Sequence, residues 1–158
     1  VDVIKACPDF EVIEQMIHLG ASVHAQDPAS RCTLLHFAAR NGDVRILELL
    51  LQKGAHVDAL DRLDATPLHT AVHYGRFNAA KKLLEYKAQV NLWDWHKNSA
   101  LYYAVLYNDT PLAELLLQHG ASIYFYDTAQ DNDEIHDDIF KRNVLAVAAF
   151  NKNHVLVK

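Results

Sequence analysis

The chain has 158 residues, of which 51% are hydrophobic and 22% are charged, with a formal net charge of −5. This composition excludes a disordered or low-complexity chain, and the excess of acidic residues argues against binding to nucleic acid. Its two cysteines are too few for a disulfide framework, and no apolar run approaches the roughly 20 residues that span a bilayer. We therefore expect one intracellular domain that binds neither nucleic acid nor membrane.

The first predicted elements are two short helices, at Val1–Cys7 and Phe10–Leu19. Both segments are apolar-periodic, and Gly20 follows the second where a helix typically ends. We interpret them as the first and second helices of a unit that lacks the turn before its first helix.

The chain then repeats itself every 33 residues. One motif recurs at Thr33–Ala38, Thr66–Ala71 and Ser99–Ala104, and a second recurs at Gly54–Asp58, Lys87–Asn91 and Gly120–Tyr124. Because two independent motifs share one period, the sequence predicts a repeat protein.

Each repeat is predicted to hold two helices. In one repeat these are Pro67–Tyr74 and Phe77–Leu84, with Gly75 between them and Thr66 as N-cap. Gly42 and Asn108 occupy the place of Gly75 in the neighbouring repeats, where a helix ends with positive φ. The alanines and leucines expected to form the shared core are Ala38, Ala71, Ala104, Leu50, Leu83 and Leu116. The predicted fold class is an all-α solenoid.

These motifs resemble the ankyrin repeat family. The Thr-Pro-Leu-His-x-Ala box at Thr66–Ala71 and the Gly-Ala-x-Val-Asp segment at Gly54–Asp58 carry the resemblance. It implies an ankyrin-type α-solenoid in which each repeat is a β-turn finger followed by two antiparallel helices, with protein partners on the concave face. It also implies that the box histidines, His36 and His69, bridge backbone groups of the turns. The sequence departs from the pattern at Tyr102, which replaces the box histidine, and at Lys87, which replaces the glycine.

The predicted division of the chain follows the period. We expect a partial repeat at 1–26, full repeats at 27–60, 61–93 and 94–126, an acidic insertion at 127–142 and a partial repeat at 143–158. The insertion is interpreted as a solvated finger, with a contact element for a partner as the alternative. Neither end shows the polar cap that solenoids usually carry, so we expect the chain to be a fragment of a longer protein.

Large aromatic side chains gather on the later fingers and first helices. Tryptophan and tyrosine are costly to expose and are enriched where interfaces gain most of their affinity. We predict a monomeric interaction module that binds a protein or peptide through Arg62, His73, Tyr74, Trp93, Trp95, Tyr103, Leu106, Tyr107 and Tyr126.

Other functions are not favoured by the sequence. Zinc-binding spacings, glycine-rich phosphate loops and nucleophile elbows do not occur, so we expect no catalytic residue, metal, cofactor or small-molecule substrate. Two alternatives remain open. The array is an internal spacer or docking platform for a neighbouring domain, or it is the substrate of an asparaginyl hydroxylase, since Leu83–Asn91 resembles the pattern of that enzyme's ankyrin targets with Asn91 in the modified place.

Overall fold

The structure, a computed structural model, describes residues 10–123. These residues form seven helices: α1 (Phe10–His18), α2 (Leu34–Asn41), α3 (Val44–Gln52), α4 (Pro67–His73), α5 (Phe77–Glu85), α6 (Ala100–Leu106) and α7 (Thr110–Gln118). The predicted helix at Val1–Cys7, Tyr126, the insertion at 127–142 and the last partial repeat at 143–158 lie outside the described residues.

Helix boundaries follow the local signals in the sequence. Thr66 caps α4, accepting a hydrogen bond from the backbone N–H of His69 at 3.3 Å, and Pro67 occupies the first turn. Gly42 and Gly75 adopt φ of 79° and 65° after α2 and α4, and Asn108 adopts 56° after α6. The predicted positive φ at all three places is therefore confirmed.

The helices pack as two neighbouring rows. The first helices of each pair, α2, α4 and α6, pack side by side, and the second row consists of α1, α3, α5 and α7. Between the rows lies a continuous core in which Leu50, Leu83 and Leu116 are fully buried and Ala71 and Ala104 allow close helix approach. The position of α1 in the second row agrees with its interpretation as a second helix.

Three connections, at 19–33, 53–66 and 86–99, precede the first helices and are called fingers 1, 2 and 3. Within residues 10–123, bridged extended backbone occurs as isolated antiparallel pairs, Gln26 with Thr33 and Trp93 with Ser99. Main-chain hydrogen bonds join successive fingers, from Arg62 N–H to the Ser30 carbonyl at 2.9 Å and from Trp95 N–H to the Leu63 carbonyl at 2.8 Å. The predicted all-α stack with turn fingers is confirmed, while the repeat boundaries stay predictions.

Candidate partner-binding surface

The box histidines hold fingers 2 and 3 beside the first helix of the preceding repeat. His36 accepts a hydrogen bond at Nδ1 from the Thr33 backbone N–H at 3.1 Å, and its Nε2 lies 3.0 Å from the Ala65 carbonyl on finger 2. His69 repeats the arrangement, with Nε2 3.2 Å from the Asn98 carbonyl on finger 3. Burial lowers the pKa of both imidazoles, which favours the neutral ring with a proton on Nε2. These bonds confirm the bridging role that the resemblance implied, and they position finger 2 next to α2 and finger 3 next to α4.

The third box has Tyr102 in place of the histidine. The neighbouring Tyr103 connects finger 3 to α6, the helix that follows this finger. Tyr103 on α6 donates its hydroxyl proton to Asp94 Oδ2 at 2.5 Å and accepts a bond from the side-chain amide of Asn98 at 3.2 Å. Burial, and then the hydrogen bond to Asp94, raise the pKa of Tyr103 to about 12. Tyr103 was predicted as an apolar anchor for a partner. The structure half-buries it and hydrogen-bonds its hydroxyl within the fold, and binding of a partner through its ring stays a prediction.

Four rings from α4, α6 and their C-caps form one group, which we call the aromatic cluster: His73, Tyr74, Tyr103 and Tyr107. The His73 ring lies edge-on to the three tyrosines, with centroid distances of 5.0 Å to Tyr74, 5.7 Å to Tyr103 and 5.3 Å to Tyr107. The Tyr107 hydroxyl also lies 3.0 Å from Nδ1 of His73. Edge-to-face contacts of this kind hold rings in defined orientations. Tyr74 and Tyr107 nevertheless remain 42% and 49% exposed, so the cluster presents fixed apolar surface to solvent.

A cleft of about 340 Å³ opens beside the aromatic cluster, between fingers 2 and 3 and helices α4 and α6. Its walls include aromatic rings, imidazoles and carboxylates. The lining residues are Asp61, Leu63, Ala65, His69, Thr70, His73, Tyr74, Asp94, His96 and Tyr103. Leu63 and His96 were not among the predicted site residues. They occupy the finger places directly after Arg62 and Trp95, so the period that selected those two residues also indicates their neighbours.

Four further predicted residues within 10–123 do not line the cleft: Arg62, Trp93, Trp95 and Leu106. Trp95 is on finger 3 with its side chain 68% exposed, and Arg62 is exposed at the matching place on finger 2. Trp93 is less exposed and belongs to the bridge with Ser99. Leu106 is exposed at the end of α6. The structure thus gathers four of the predicted residues in the aromatic cluster and leaves these four outside it.

Asn91, the predicted modification target, lies on finger 3 away from the cleft. Its side-chain nitrogen donates to the Gly120 carbonyl at 3.1 Å, and its Oδ1 accepts from the Ser122 backbone N–H at 2.8 Å. These two bonds restrain the side chain that the enzyme would modify. Hydroxylation of Asn91 stays a prediction.

The described residues offer little for covalent or metal chemistry. Within residues 10–123, no group of three or more histidine, cysteine, aspartate or glutamate side chains could hold a metal ion. Cys32 is half-buried, and desolvation raises the pKa of its thiol, which disfavours the reactive thiolate. Across the same stretch, no helix is both long and apolar enough to cross a membrane.

Stacked helix pairs joined by bonded fingers define a repeat protein of the solenoid class. The family model for ankyrin repeats (3 copies) matches residues 3–94 and 66–127, so the chain belongs to the ankyrin repeat family. Repeats of this family are generally protein-protein interaction modules and are typically non-catalytic.

A curated relative matches only part of the chain. The ADP-ribosylation factor GTPase-activating protein AGD1 of Arabidopsis thaliana is 40% identical over 48 residues, which cover 30% of this chain and 6% of the relative. Because the chain spans so small a share of that protein, the likeness concerns a short stretch of sequence.

Proposed function

We propose that the chain is a protein-interaction module, and that a segment of a partner protein lies across fingers 2 and 3 and helices α4 and α6. The observation that carries the proposal is the aromatic cluster, whose rings are ordered by mutual contacts while Tyr74 and Tyr107 remain exposed. Tyrosine and tryptophan in such places combine a large apolar area with few side-chain torsions to restrain on binding. Trp95 adds a further exposed ring, directly before His96 on the wall of the cleft.

Side chains that the fold requires are distinct from those proposed for binding. Leu68, Leu83 and His69 are buried in the stack, and the His69 bonds hold finger 3 in place. Trp95 and Tyr107 are the more exposed aromatic side chains on this surface. Their truncation should therefore affect binding with little effect on folding.

We further propose that the module acts inside the cell as a monomeric adaptor between proteins. The small number of cysteines, with Cys32 as a free thiol, supports a chain that does not depend on disulfides. The GTPase-activating function in the relative's name belongs to a much longer protein and does not enter this proposal.

The experiment measures affinity for a partner captured from lysate and then purified. Trp95→Ala and Tyr107→Ala should each lower the affinity roughly 30-fold, which corresponds to a loss of ~2 kcal/mol. Phe77→Ala is the matched control, since Phe77 is a partly exposed aromatic residue on α5, in the other row of helices. Circular dichroism melts of all three variants check that the stack remains folded.

Two results would contradict the proposal. If both variants bind the partner with unchanged affinity, the surface is not the binding site, and the predicted insertion at 127–142 becomes the next segment to test. If both variants unfold as readily as Leu83→Ala, the aromatic side chains serve packing rather than recognition.

A further inference from the structure

The cleft contains two carboxylates, Asp61 and Asp94, and among residues 10–123 no basic side chain forms an ion pair with either of them. The ion pairs found within residues 10–123 connect Lys82 with Glu48 at 3.6 Å and with Glu85 at 2.9 Å, on other helices. The chain as a whole is acidic, with a formal charge of −5. The cleft is therefore a place where a positive group from outside would find opposite charge.

Asp94 is held in place by neutral donors. Its side chain is only 5% exposed, with Oδ1 accepting from the Asn98 backbone N–H at 2.9 Å and Oδ2 accepting from the Tyr103 hydroxyl. A buried carboxylate that is hydrogen-bonded but lacks a counter-ion is electrostatically costly, and a cation nearby reduces that cost.

Asp61 faces the same cleft from finger 2. Its Oδ1 accepts from the backbone N–H groups of Leu63 at 2.7 Å and Ala65 at 3.0 Å, which fixes the orientation of the carboxylate. Since both bonds reach one oxygen, Oδ2 is available to a ligand. The structure thus pre-orients an acceptor that water can reach.

The aromatic walls suit a cation as well. The rings of Tyr74 and Tyr103 line the cleft with the two carboxylates, and the π faces of such rings attract positive groups, most often guanidinium. The Tyr74 ring already makes one such contact within the chain, because the guanidinium carbon of Arg40 lies over one of its faces, 5.0 Å from the ring centroid. Arg40 itself is not part of the cleft lining.

We propose that the cleft receives the guanidinium group of an arginine side chain of the partner, with Asp61 and Asp94 supplying charge and Tyr74 and Tyr103 supplying ring faces. This inference rests on the proposed function and names the chemistry that the partner presents. A volume of about 340 Å³ is at the small end of ligand pockets, which suits a single side chain. A planar guanidinium can stack on a ring while its N–H groups reach a carboxylate, which an ammonium group cannot do.

The probe is a capped pentapeptide of glycine with one central arginine, titrated into the whole chain at pH 8. Two matched peptides carry citrulline, a neutral urea of nearly the same shape, or lysine in the central place. Binding is followed by the NMR signals of the Tyr74 and Tyr103 rings. We expect saturable shifts with the arginine peptide and an affinity at least about 10-fold lower for the other two.

A charge-removing variant tests the carboxylate. Asp61→Asn keeps the Oδ1 acceptor and removes the charge, and it should weaken binding of the arginine peptide by about 5- to 10-fold. Asp64→Asn is the matched control, because it removes the same charge from the same finger outside the cleft lining. Asp64 has φ of 52°, a conformation that asparagine tolerates well. The control should change the affinity by less than about twofold.

The inference is overturned if the arginine peptide produces no saturable shift, if citrulline or lysine binds equally well, or if the two variants behave alike. None of these results bears on Trp95 and Tyr107. Failure of the arginine inference can therefore be distinguished from failure of the proposed binding surface, which is tested with the partner protein.

Discussion

Protonation of His36 and of His69 is coupled to the stability of the helical stack. Both imidazoles accept a hydrogen bond at Nδ1 and have an Nε2 within hydrogen-bonding distance of a carbonyl on the next finger, and burial lowers their pKa below the usual 6.5. Below pH 6.5 the unfolded chain therefore binds more protons than the folded one. The stabilisation is fully present above that pH and decreases as the pH falls toward the folded pKa values.

We predict that the urea midpoint of unfolding falls steadily between pH 6.5 and 5.5. Replacing both residues, with His36→Gln and His69→Gln, should lower the midpoint at every pH and flatten its dependence in this range. Chemical denaturation followed by circular dichroism measures both effects. A wild-type midpoint that is constant or rises on acidification would rule out this coupling.

Lys87 adopts the left-handed backbone conformation at a repeat position that holds glycine in the neighbouring repeats. Its φ is 65°, and the matching Gly54 and Gly120 both have φ of 84°. A residue with a Cβ atom pays about 1–2 kcal/mol in the left-handed region, partly offset because glycine loses more freedom on folding.

Lys87→Gly should therefore raise the free energy of unfolding by about 0.5–1 kcal/mol. Gly54→Ala provides the reverse change, since an added Cβ there meets no atom within 4 Å and only backbone strain remains. It should lower the free energy by a similar amount. Equilibrium denaturation measures both, and destabilisation by Lys87→Gly would show that the lysine side chain contributes more than its backbone costs.

Between elements, the Tyr103 hydroxyl connects α6 to finger 3. Because Asp94 is buried, loss of this donor leaves Oδ2 without its partner in a place that water reaches poorly. Tyr103→Phe should cost about 1–3 kcal/mol of unfolding free energy.

Tyr107→Phe is the comparison for Tyr103→Phe. It removes a hydroxyl whose partner, His73, is exposed. Because water can replace the lost hydrogen bond, the decrease in unfolding free energy should be much smaller. Thermal and urea unfolding measure the two variants side by side. Equal costs would mean that the bond to Asp94 adds nothing specific to the connection between α6 and finger 3.

The helix boundaries were predictable from the sequence where they depend on local signals such as N-caps and positive φ. The start of α4 follows from Thr66 and Pro67, and its end from Gly75, because caps and positive φ depend on the residue itself. The role of Tyr103 was not predictable in this way. Its place in the 33-residue period aligns it with Thr70, but the period does not state that its ring reaches over Asp94, nine residues earlier.

On the scale of the whole molecule, the period predicted which surface carries the aromatic residues but not its shape. Trp95, Tyr74 and Tyr107 were selected from repeat positions and are exposed. The cleft depends on how fingers 2 and 3 lie against α4 and α6, which is decided by contacts between repeats rather than within one. The period indicates the finger place of Leu63, but only the structure shows that Leu63 and the carboxylate of Asp61 line one cleft.

Stability should also vary along the stack. In a solenoid each helix pair contacts only its neighbours. A pair with a neighbour on both sides is therefore stabilised more than a pair with fewer contacts. Among the described residues, α4 and α5 pack against α2 and α3 on one side and α6 and α7 on the other. By contrast α1 packs against α3, and its Val12, Met16 and the following Leu19 are substantially exposed.

Native-state amide hydrogen exchange should accordingly show the slowest exchange in α4 and α5 and much faster exchange in α1, as expected for opening in local units. Leu83→Ala, which leaves a cavity in the middle of the stack, should cost roughly 2–5 kcal/mol and accelerate exchange in α4, α5 and both neighbouring pairs. Ile13→Ala removes a buried side chain of α1 and should accelerate exchange mainly in α1 and α3. Uniform protection along the chain, or an equally broad response to both substitutions, would mean that the repeats unfold as one cooperative unit rather than by nearest-neighbour contacts.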